Sequence, residues 1–198
     1  MNYLTNLNKV VNKTVNDARY YYMYAYENIY GIPSANEILD GVFIGDIVAG
    51  NDLNFLKKNK IKYVINISNI IYKENQTIIK KNGILIRNVP IRDIPEDHDL
   101  LLELIPDIIA SIKENRKHGK ILVNCFAGKQ RSAAIVACYL YKYVFVGDNN
   151  ILEDKTFPEL LDRIITFIQH RRSIAFTPIP NFYNMILTYI KQVNDIKI

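Results

Sequence analysis

The sequence lacks any long hydrophobic segment. No apolar run approaches the roughly 20 residues that a membrane-spanning helix needs, although hydrophobic residues make up an ordinary 49% of the chain. The first 30 residues contain no compact apolar stretch followed by a small-residue cleavage site of the secretory kind. We therefore expect an intracellular, cytoplasmic protein with no membrane span.

Cysteine is scarce, since the 198 residues include only Cys125 and Cys138. Two thiols do not make the disulfide framework of a small secreted domain. If Cys138 lies two turns into a helix that begins after Arg131, the two residues are roughly 10 Å or more apart at about 1.5 Å rise per residue. A disulfide tolerates a Cα separation of only about 7 Å. Cys138 is then predicted to be a core thiol, and Cys125 requires another explanation.

Acidic residues are outnumbered by basic ones, 20 against 25, which gives a formal net charge of +5. A solvated basic surface explains this excess, and so does attraction to an anionic partner such as a phosphorylated protein, nucleic acid or acidic lipid. The net charge alone does not distinguish these two explanations. The three histidines are too scattered along the chain to predict a metal site, and no cofactor is predicted: His98, His118 and His170.

The first 34 residues differ from the rest. Leucine and valine recur at helical spacing from Leu4 to Val15, and tyrosines crowd between Tyr20 and Tyr30 before Gly31 ends the segment. The pattern predicts a helical, tyrosine-rich extension over residues 1–34. We expect it to dock on the main domain, with a homodimer contact and a substrate-recruiting surface as the alternatives.

Strand and helix patterns alternate over residues 35–198. Short apolar strands are predicted at 42–44, 63–67, 84–89 and 121–123, and helices at 51–58, 100–117, 132–144, 157–169 and 181–192. Pro106 is expected to kink its helix or to start a second helical segment there. These elements predict one α/β domain, a central mixed sheet of about four to five strands flanked by helices.

The segment most informative about chemistry is Ile121–Ala134. A buried strand is predicted to end at Cys125, a loop containing Gly128 follows, and a helix begins at Arg131 and Ser132. Loop N–H groups and the helix N-terminus can converge on a phosphate, and a guanidinium can hold two of its oxygens. The same surroundings would lower the cysteine pKa and produce a thiolate nucleophile, which the serine hydroxyl would steady.

Hydrolysis of a phosphate monoester leaves an alkoxide or phenolate that a carboxylic acid should protonate as it departs. One loop, ahead of the cysteine in the chain, carries four candidates for this acid: Asp93, Glu96, Asp97 and Asp99. Their spacing alone does not choose among them.

The Ile121–Ala134 segment is similar to the active-site loop of the protein tyrosine phosphatases, most closely to that of the dual-specificity phosphatases. From about residue 35 to 192, further segments resemble this family in order and spacing: Glu37–Gly45, Leu56–Ile67, Val89–Asp93 and Arg171–Phe182. The resemblance implies a protein-tyrosine-phosphatase-like fold. It also implies that phosphorylated proteins are the substrates, hydrolysed at phosphotyrosine and phosphoserine or phosphothreonine through a phosphocysteine. It assigns Asp93 as the general acid, with Asp97 as the next candidate.

The resemblance also implies a set of substrate-binding residues: Asn124, Phe126, Ala127, Gly128, Lys129, Gln130, Arg171 and Arg172. Lys129 could contact a second phosphate or simply face solvent. The arginine pair could recruit a second phosphate or an acidic substrate, or could cap a helix C-terminus.

Asn124 departs from the family, which usually has histidine before the nucleophile. Asparagine forms hydrogen bonds but carries no charge, so we expect a slower enzyme or a shifted pH optimum. An inactive phosphate-binding relative stays open, as does a phosphatase acting on phosphoinositides or RNA 5′ phosphates. A catalytic domain preceded by a helix also resembles the poxvirus phosphatases, where such a helix joins two subunits; this likeness implies a homodimer through residues 1–34 and, for a viral protein, a place in the virion.

Overall fold

A computed structural model of the chain describes residues 2–145 and 156–195. Its sheet has five strands in the order β1-β2-β5-β3-β4. Their bounds are β1 Ala35–Leu39, β2 Val42–Gly45, β3 Ile61–Asn66, β4 Leu85–Asn88 and β5 Lys120–Asn124. The β1–β2 pair is antiparallel and every other pair is parallel, which confirms the predicted mixed sheet.

Seven α-helices accompany these strands within the described residues. Their bounds are α1 Asn2–Tyr30, α2 Leu53–Lys58, α3 Lys73–Lys81, α4 His98–Asn115, α5 Arg131–Leu140, α6 Phe157–Gln169 and α7 Tyr183–Asp195. The predicted helix at 157–169 coincides with α6. The apolar pattern of the sequence predicted neither α3 nor β1. Residues 146–155, which precede α6, lie outside the described residues.

Helix α4 runs through Pro106 without a break, so the predicted second helical segment was wrong. A proline inside a helix removes one hydrogen bond. Leu101, Ile105 and Ile109 bury one face of α4 in the main core on both sides of the proline. Packing therefore holds the helix together across the missing bond.

The two faces of the sheet are buried against different helices. Val42 and Ile44 belong to the large core shared with α4 to α7. Phe43 belongs to a smaller core that includes residues of α2 and α3. This alternation is the period of two expected of a strand covered on both sides. The carboxyl ends of the parallel strands lie together at one edge of the sheet, where a site can form.

Helix α1 packs on the domain with one side of its C-terminal half. Tyr20, Met23 and Tyr26 contact a third apolar cluster formed by Ile47, Val48, Ile70, Tyr72, Phe126 and Ala127. The side chains of residues 2–13, 16 and 27 lie outside the described part, so the predicted stripe that starts at Leu4 is not tested there. Nothing within the described residues supports the predicted homodimer. The predicted boundary between the N-terminal extension and the α/β domain, at residues 34 and 35, stays a prediction.

Within residues 2–145 and 156–195, no helix combines the length and the apolar character that crossing a membrane requires.

Candidate active site

The loop of residues 125–131 joins the carboxyl end of β5 to the start of α5, in the middle of the sheet. In sheets of this kind, ligands bind beyond the carboxyl ends of the strands. Two backbone bonds pin the loop to its neighbours: Cys125 N–H donates to Gly45 O at 3.3 Å, and Ile47 N–H donates to Phe126 O at 3.0 Å. The predicted strand–loop–helix junction is therefore present and held by the adjacent strand.

Gly128 is required by the shape of the loop. Its φ of +63° lies in the left-handed region that side chains disfavour. A Cβ at this position would lie 2.6 Å from Gly45 O and 2.6 Å from Arg172 Nη2. Any other residue would push the loop away from β2.

Cys125 is the first residue of the loop and is only 1% exposed. The Ser132 hydroxyl donates to its Sγ at 3.3 Å, and the backbone N–H groups of Gly128 and Ser132 also donate to it. Burial raises the pKa of Cys125, but the charge of Arg131 and these hydrogen bonds outweigh burial and hold the pKa below its ordinary value. This site favours the thiolate, as the sequence predicted.

Arg131 is buried beside the cysteine and is held by the segment that follows β4. Its Nη1 donates to Ile91 O at 2.8 Å. Its Nε lies 3.5 Å from Asp93 Oδ2, and the side chain of Asp93 is 37% exposed. The carboxyl group of Asp93 therefore lies next to the guanidinium of Arg131 and still reaches solvent.

Asp97, the second candidate for the general acid, is paired with Arg92 of its own loop. It accepts hydrogen bonds from Arg92 N–H at 2.7 Å and from Arg92 Nε at 3.1 Å. These hydrogen bonds, with the charge of the guanidinium, lower the pKa of Asp97. A carboxyl group held ionised by its own loop is a poor proton donor, and its contacts instead fix the turn that carries Asp93.

A cleft of about 350 Å³ opens beside this group of residues. Its lining includes Arg19, Asn69, Ile70, Arg92, Asp93, Phe126 and Arg131. Arg19 belongs to α1, and the sequence had given no sign that it would lie here. No local pattern could have found it, because its position depends on how α1 packs on the loop.

Arg172, predicted to bind substrate, lies behind the loop and is 1% exposed. Its Nε donates to Gly128 O at 2.8 Å, and its Nη1 donates to Pro33 O at 3.0 Å and to Asn36 Oδ1 at 2.8 Å. These bonds engage the guanidinium away from solvent, and its substrate contact stays a prediction. Arg172 ties the loop to the segment between α1 and β1.

Arg171 and Gln130 also have contacts other than the predicted ones. Arg171 donates from Nη1 to Phe167 O at 3.1 Å and stacks 3.7 Å from the Phe167 ring, which matches the alternative of capping the end of α6. Gln130 donates to Ile179 O at 2.8 Å, and its Oε1 accepts from Asn181 N–H at 3.1 Å. Neither side chain is among the residues that line the described cleft, and the predicted substrate contacts of both residues stay predictions.

Asn124 is buried beneath the loop, where its side chain is not in reach of the cleft. Its Nδ2 donates to Asn66 Oδ1 at 3.3 Å. Asn66 donates to Asn88 Oδ1 at 3.1 Å, and Asn88 exchanges hydrogen bonds with Gln76. The residue in the histidine position thus begins a chain of amides that links the ends of β5, β3 and β4, and its substrate contact stays a prediction.

The remaining loop side chains meet α1. Phe126 lines the cleft, and Ala127 packs with Phe126 in the cluster that holds α1. The Lys129 ammonium lies 5.3 Å from the centre of the Tyr26 ring, a cation–π contact. Among the described residues, no three His, Cys, Asp or Glu side chains come together in a way that could hold a metal ion.

Residues 42–192 match the family model described as "Dual specificity phosphatase, catalytic domain". The chain belongs to this family. Dual specificity protein phosphatase 18 of Homo sapiens is 32% identical over 117 residues, which cover 57% of this chain and 56% of that protein. Dual specificity protein phosphatase 19 of Mus musculus is 28% identical over 149 residues, covering 75% and 58%. The chain therefore spans little more than half the length of the curated relatives it matches.

Solved structures support the fold. Human DUSP28 aligns with a TM-score of 0.64 and 21% identity, over 82% of this chain and 96% of that chain. The Yvh1 phosphatase domain from Chaetomium thermophilum aligns with a TM-score of 0.67 and 21% identity, over 81% and 97%. The protein-tyrosine-phosphatase-like fold is confirmed, and α1 lies outside the range that the family model matches.

Proposed function

We propose that this chain is a protein phosphatase that hydrolyses phosphotyrosine and phosphoserine or phosphothreonine through a phosphocysteine intermediate. The observation that carries the proposal is the environment of Cys125: a buried sulfur that accepts hydrogen bonds from Ser132 and Gly128 beside the guanidinium of Arg131. Family membership supports phosphorylated proteins as the substrates. A cytoplasmic location is part of the same proposal.

The first step is transfer of the phosphoryl group to sulfur. The Cys125 thiolate attacks phosphorus in line, a P–S bond forms and the P–O bond to the leaving group breaks. Arg131 and the loop amides hold the non-bridging oxygens, whose charge they stabilise. The Asp93 carboxyl gives its proton to the departing oxygen, so the alcohol or phenol leaves neutral.

The second step returns the enzyme to its starting state. A water molecule attacks the phosphocysteine, the P–S bond breaks and inorganic phosphate leaves. Asp93, now ionised, accepts the proton of the water, while the Ser132 hydroxyl stabilises the sulfur as it becomes a thiolate again. Asn124 holds the loop by hydrogen bonds alone, since it carries no charge, and we expect the rate or its pH optimum to differ from that of histidine-containing relatives.

The test is hydrolysis of a small aryl phosphate between about pH 5 and 8 by the native chain and by Cys125→Ser. The proposal predicts turnover by the native chain and none by the variant. Cys138→Ser is the matched control, because it makes the same atomic change in the other buried thiol. Absence of turnover by the native chain at every pH, or turnover that survives in Cys125→Ser, would contradict the proposal and favour a phosphate-binding relative.

A further inference from the structure

Helix α1 forms one wall of the cleft, although it precedes the residues that match the family model. Arg19 lines the cleft together with Ile70 and Phe126. The helix is fixed there by Tyr20 and Met23, which pack in the same apolar cluster as Ile70 and Phe126. This wall therefore comes from residues outside the range that the family model matches.

The position of Arg19 is set by contacts of α1 with the 125–131 loop and with Tyr72. Tyr26, two turns further along α1, lies under the Lys129 ammonium at 5.3 Å. Tyr20, directly after Arg19, packs edge-on against Tyr72 with ring centres 5.5 Å apart. Because both contacts join α1 to the rim of the site, Arg19 is held beside the cleft and is not a freely placed surface charge.

The charged side chains that line the cleft differ in their contacts. Arg131 is assigned to the scissile phosphate by its place beside Cys125. Arg92 is engaged with Asp97. The carboxylate in the lining, Asp93, faces Arg131. Arg19 is exposed, lies within electrostatic reach of Tyr72, and lines the same cleft as Asp93 and Arg131.

We propose that Arg19 is a specificity-determining residue that binds a second anionic group, a carboxylate or a phosphate, close to the scissile phosphate of a phosphorylated peptide. The inference rests on the proposed function, because it places the scissile phosphate at Cys125. A guanidinium suits both anions, since its planar fork donates two parallel hydrogen bonds. Membership of a family of protein phosphatases favours a peptide as the carrier of that anion.

The test compares three phosphopeptides that differ only beside the phosphorylated residue: neutral neighbours, a glutamate neighbour, and a second phosphorylated residue. The quantity measured is the ratio of kcat/KM for each anionic peptide to that for the neutral one. Arg19→Ala is expected to lower this ratio about 5-fold for the glutamate peptide and about tenfold for the doubly phosphorylated one. The loss should lie in KM, should shrink at high salt, and should be partly restored in Arg19→Lys.

Arg163→Ala is the matched control, since Arg163 is an exposed arginine on α6 that does not line the cleft. A ratio that is unchanged in Arg19→Ala, or lowered equally in Arg163→Ala, would overturn the proposal. A native chain that prefers a soluble inositol bisphosphate to every peptide would overturn the assignment to peptides.

A second measurement separates this inference from the proposed function. In a Cys125→Ser background, the Kd of each peptide is measured by fluorescence anisotropy with and without Arg19→Ala, which needs no turnover. The anionic peptides should lose affinity selectively in the double variant, and equal losses for all three peptides would overturn the inference. Failure of the native chain to hydrolyse aryl phosphate contradicts the proposed function alone.

Discussion

The two cysteines of this chain lie in regions that are equally buried and chemically opposite. Cys125, directly after β5, is 1% exposed, and Cys138, in the last turn of α5, is 0% exposed. Burial raises the pKa of Cys138 far above its ordinary value. Burial acts in the same direction on Cys125, yet the pKa of Cys125 is lowered because a guanidinium and hydrogen-bond donors surround the sulfur.

The difference shows that solvent exclusion does not by itself decide the reactivity of a thiol. Helix α5 provides both environments. At its N-terminus the backbone N–H groups are free to point at an anion, whereas in its interior they are used by the helix itself. Cys138 is surrounded by apolar residues of the main core, where a charge has no partner. Five substitutions test this contrast.

Arg131→Ala should have the largest effect. Removing the guanidinium leaves burial as the main influence on Cys125, so its pKa should rise toward that of a buried thiol such as Cys138. We expect kcat/KM for an aryl phosphate to fall by about 10³-fold or more.

The measurement is the pH profile of iodoacetamide alkylation, read by mass spectrometry for each cysteine. In the native chain Cys125 should react with a midpoint below the ordinary thiol value, because its thiolate persists at lower pH, and Cys138 should stay unmodified. In Arg131→Ala the midpoint for Cys125 should move upward. An unchanged midpoint would mean that the arginine does not set the thiolate.

Asp93→Asn should come next, with kcat lowered by about 10²-fold. The amide cannot give a proton to the leaving group, so the loss should be greatest for alkyl phosphates and smaller for phosphates of acidic phenols. Asp97→Asn is the comparison variant, since Asp97 holds Arg92 and the turn. If Asp97→Asn showed the same dependence on the leaving group and Asp93→Asn did not, the assignment of the acid would be reversed.

Ser132→Ala should lower turnover by about tenfold, the size expected of one hydrogen bond to a charged group. The change removes the donor that lies 3.3 Å from the sulfur of Cys125. Single-turnover kinetics should place most of the loss in phosphocysteine hydrolysis, where sulfur is the leaving atom. A loss confined to substrate binding would contradict this role.

Asn124→Ala should cost about 1–3 kcal/mol of folding free energy, because it leaves Asn66 Oδ1 without its buried donor. Activity should fall only a few-fold, since the side chain supports the loop from beneath. Urea denaturation measures the first effect and aryl phosphate hydrolysis the second. A large loss of activity in a fully stable variant would argue that Asn124 acts on the reaction directly.

Cys138→Ala should have the smallest effect on chemistry. It removes one buried sulfur from the core, so we expect a loss of about 1–2 kcal/mol in stability and turnover within about twofold of the native chain. Thermal denaturation and the aryl phosphate assay provide the two numbers. Loss of turnover in a stably folded Cys138→Ala would end the contrast between the two thiols.

The sequence was most informative where chemistry and local structure coincide. The strand before Cys125, the turn at Gly128 and the helix that begins at Arg131 follow one another along the chain, so the proximity of Cys125 and Arg131 could be predicted from the sequence. Residues 157–169 are equally local, and their helix was predicted at its observed bounds.

Long-range packing explains what the sequence did not reveal. The choice between Asp93 and Asp97 depends on a contact with Arg92 that spacing does not express. Arg172 looked available for substrate, but it reaches residues such as Asn36 that are distant in the chain. Arg19 was not considered at all, because only the docking of α1 brings it to the cleft.

The central claim, that Cys125 takes up the phosphoryl group, is tested most directly by trapping the intermediate. The native chain is mixed with a radiolabelled phosphopeptide, quenched in acid within milliseconds, digested and mapped by mass spectrometry. We predict label on the peptide that contains Cys125, none on the peptide that contains Cys138, and none in Cys125→Ser. Turnover without labelled Cys125, or label on a different residue, would contradict the account.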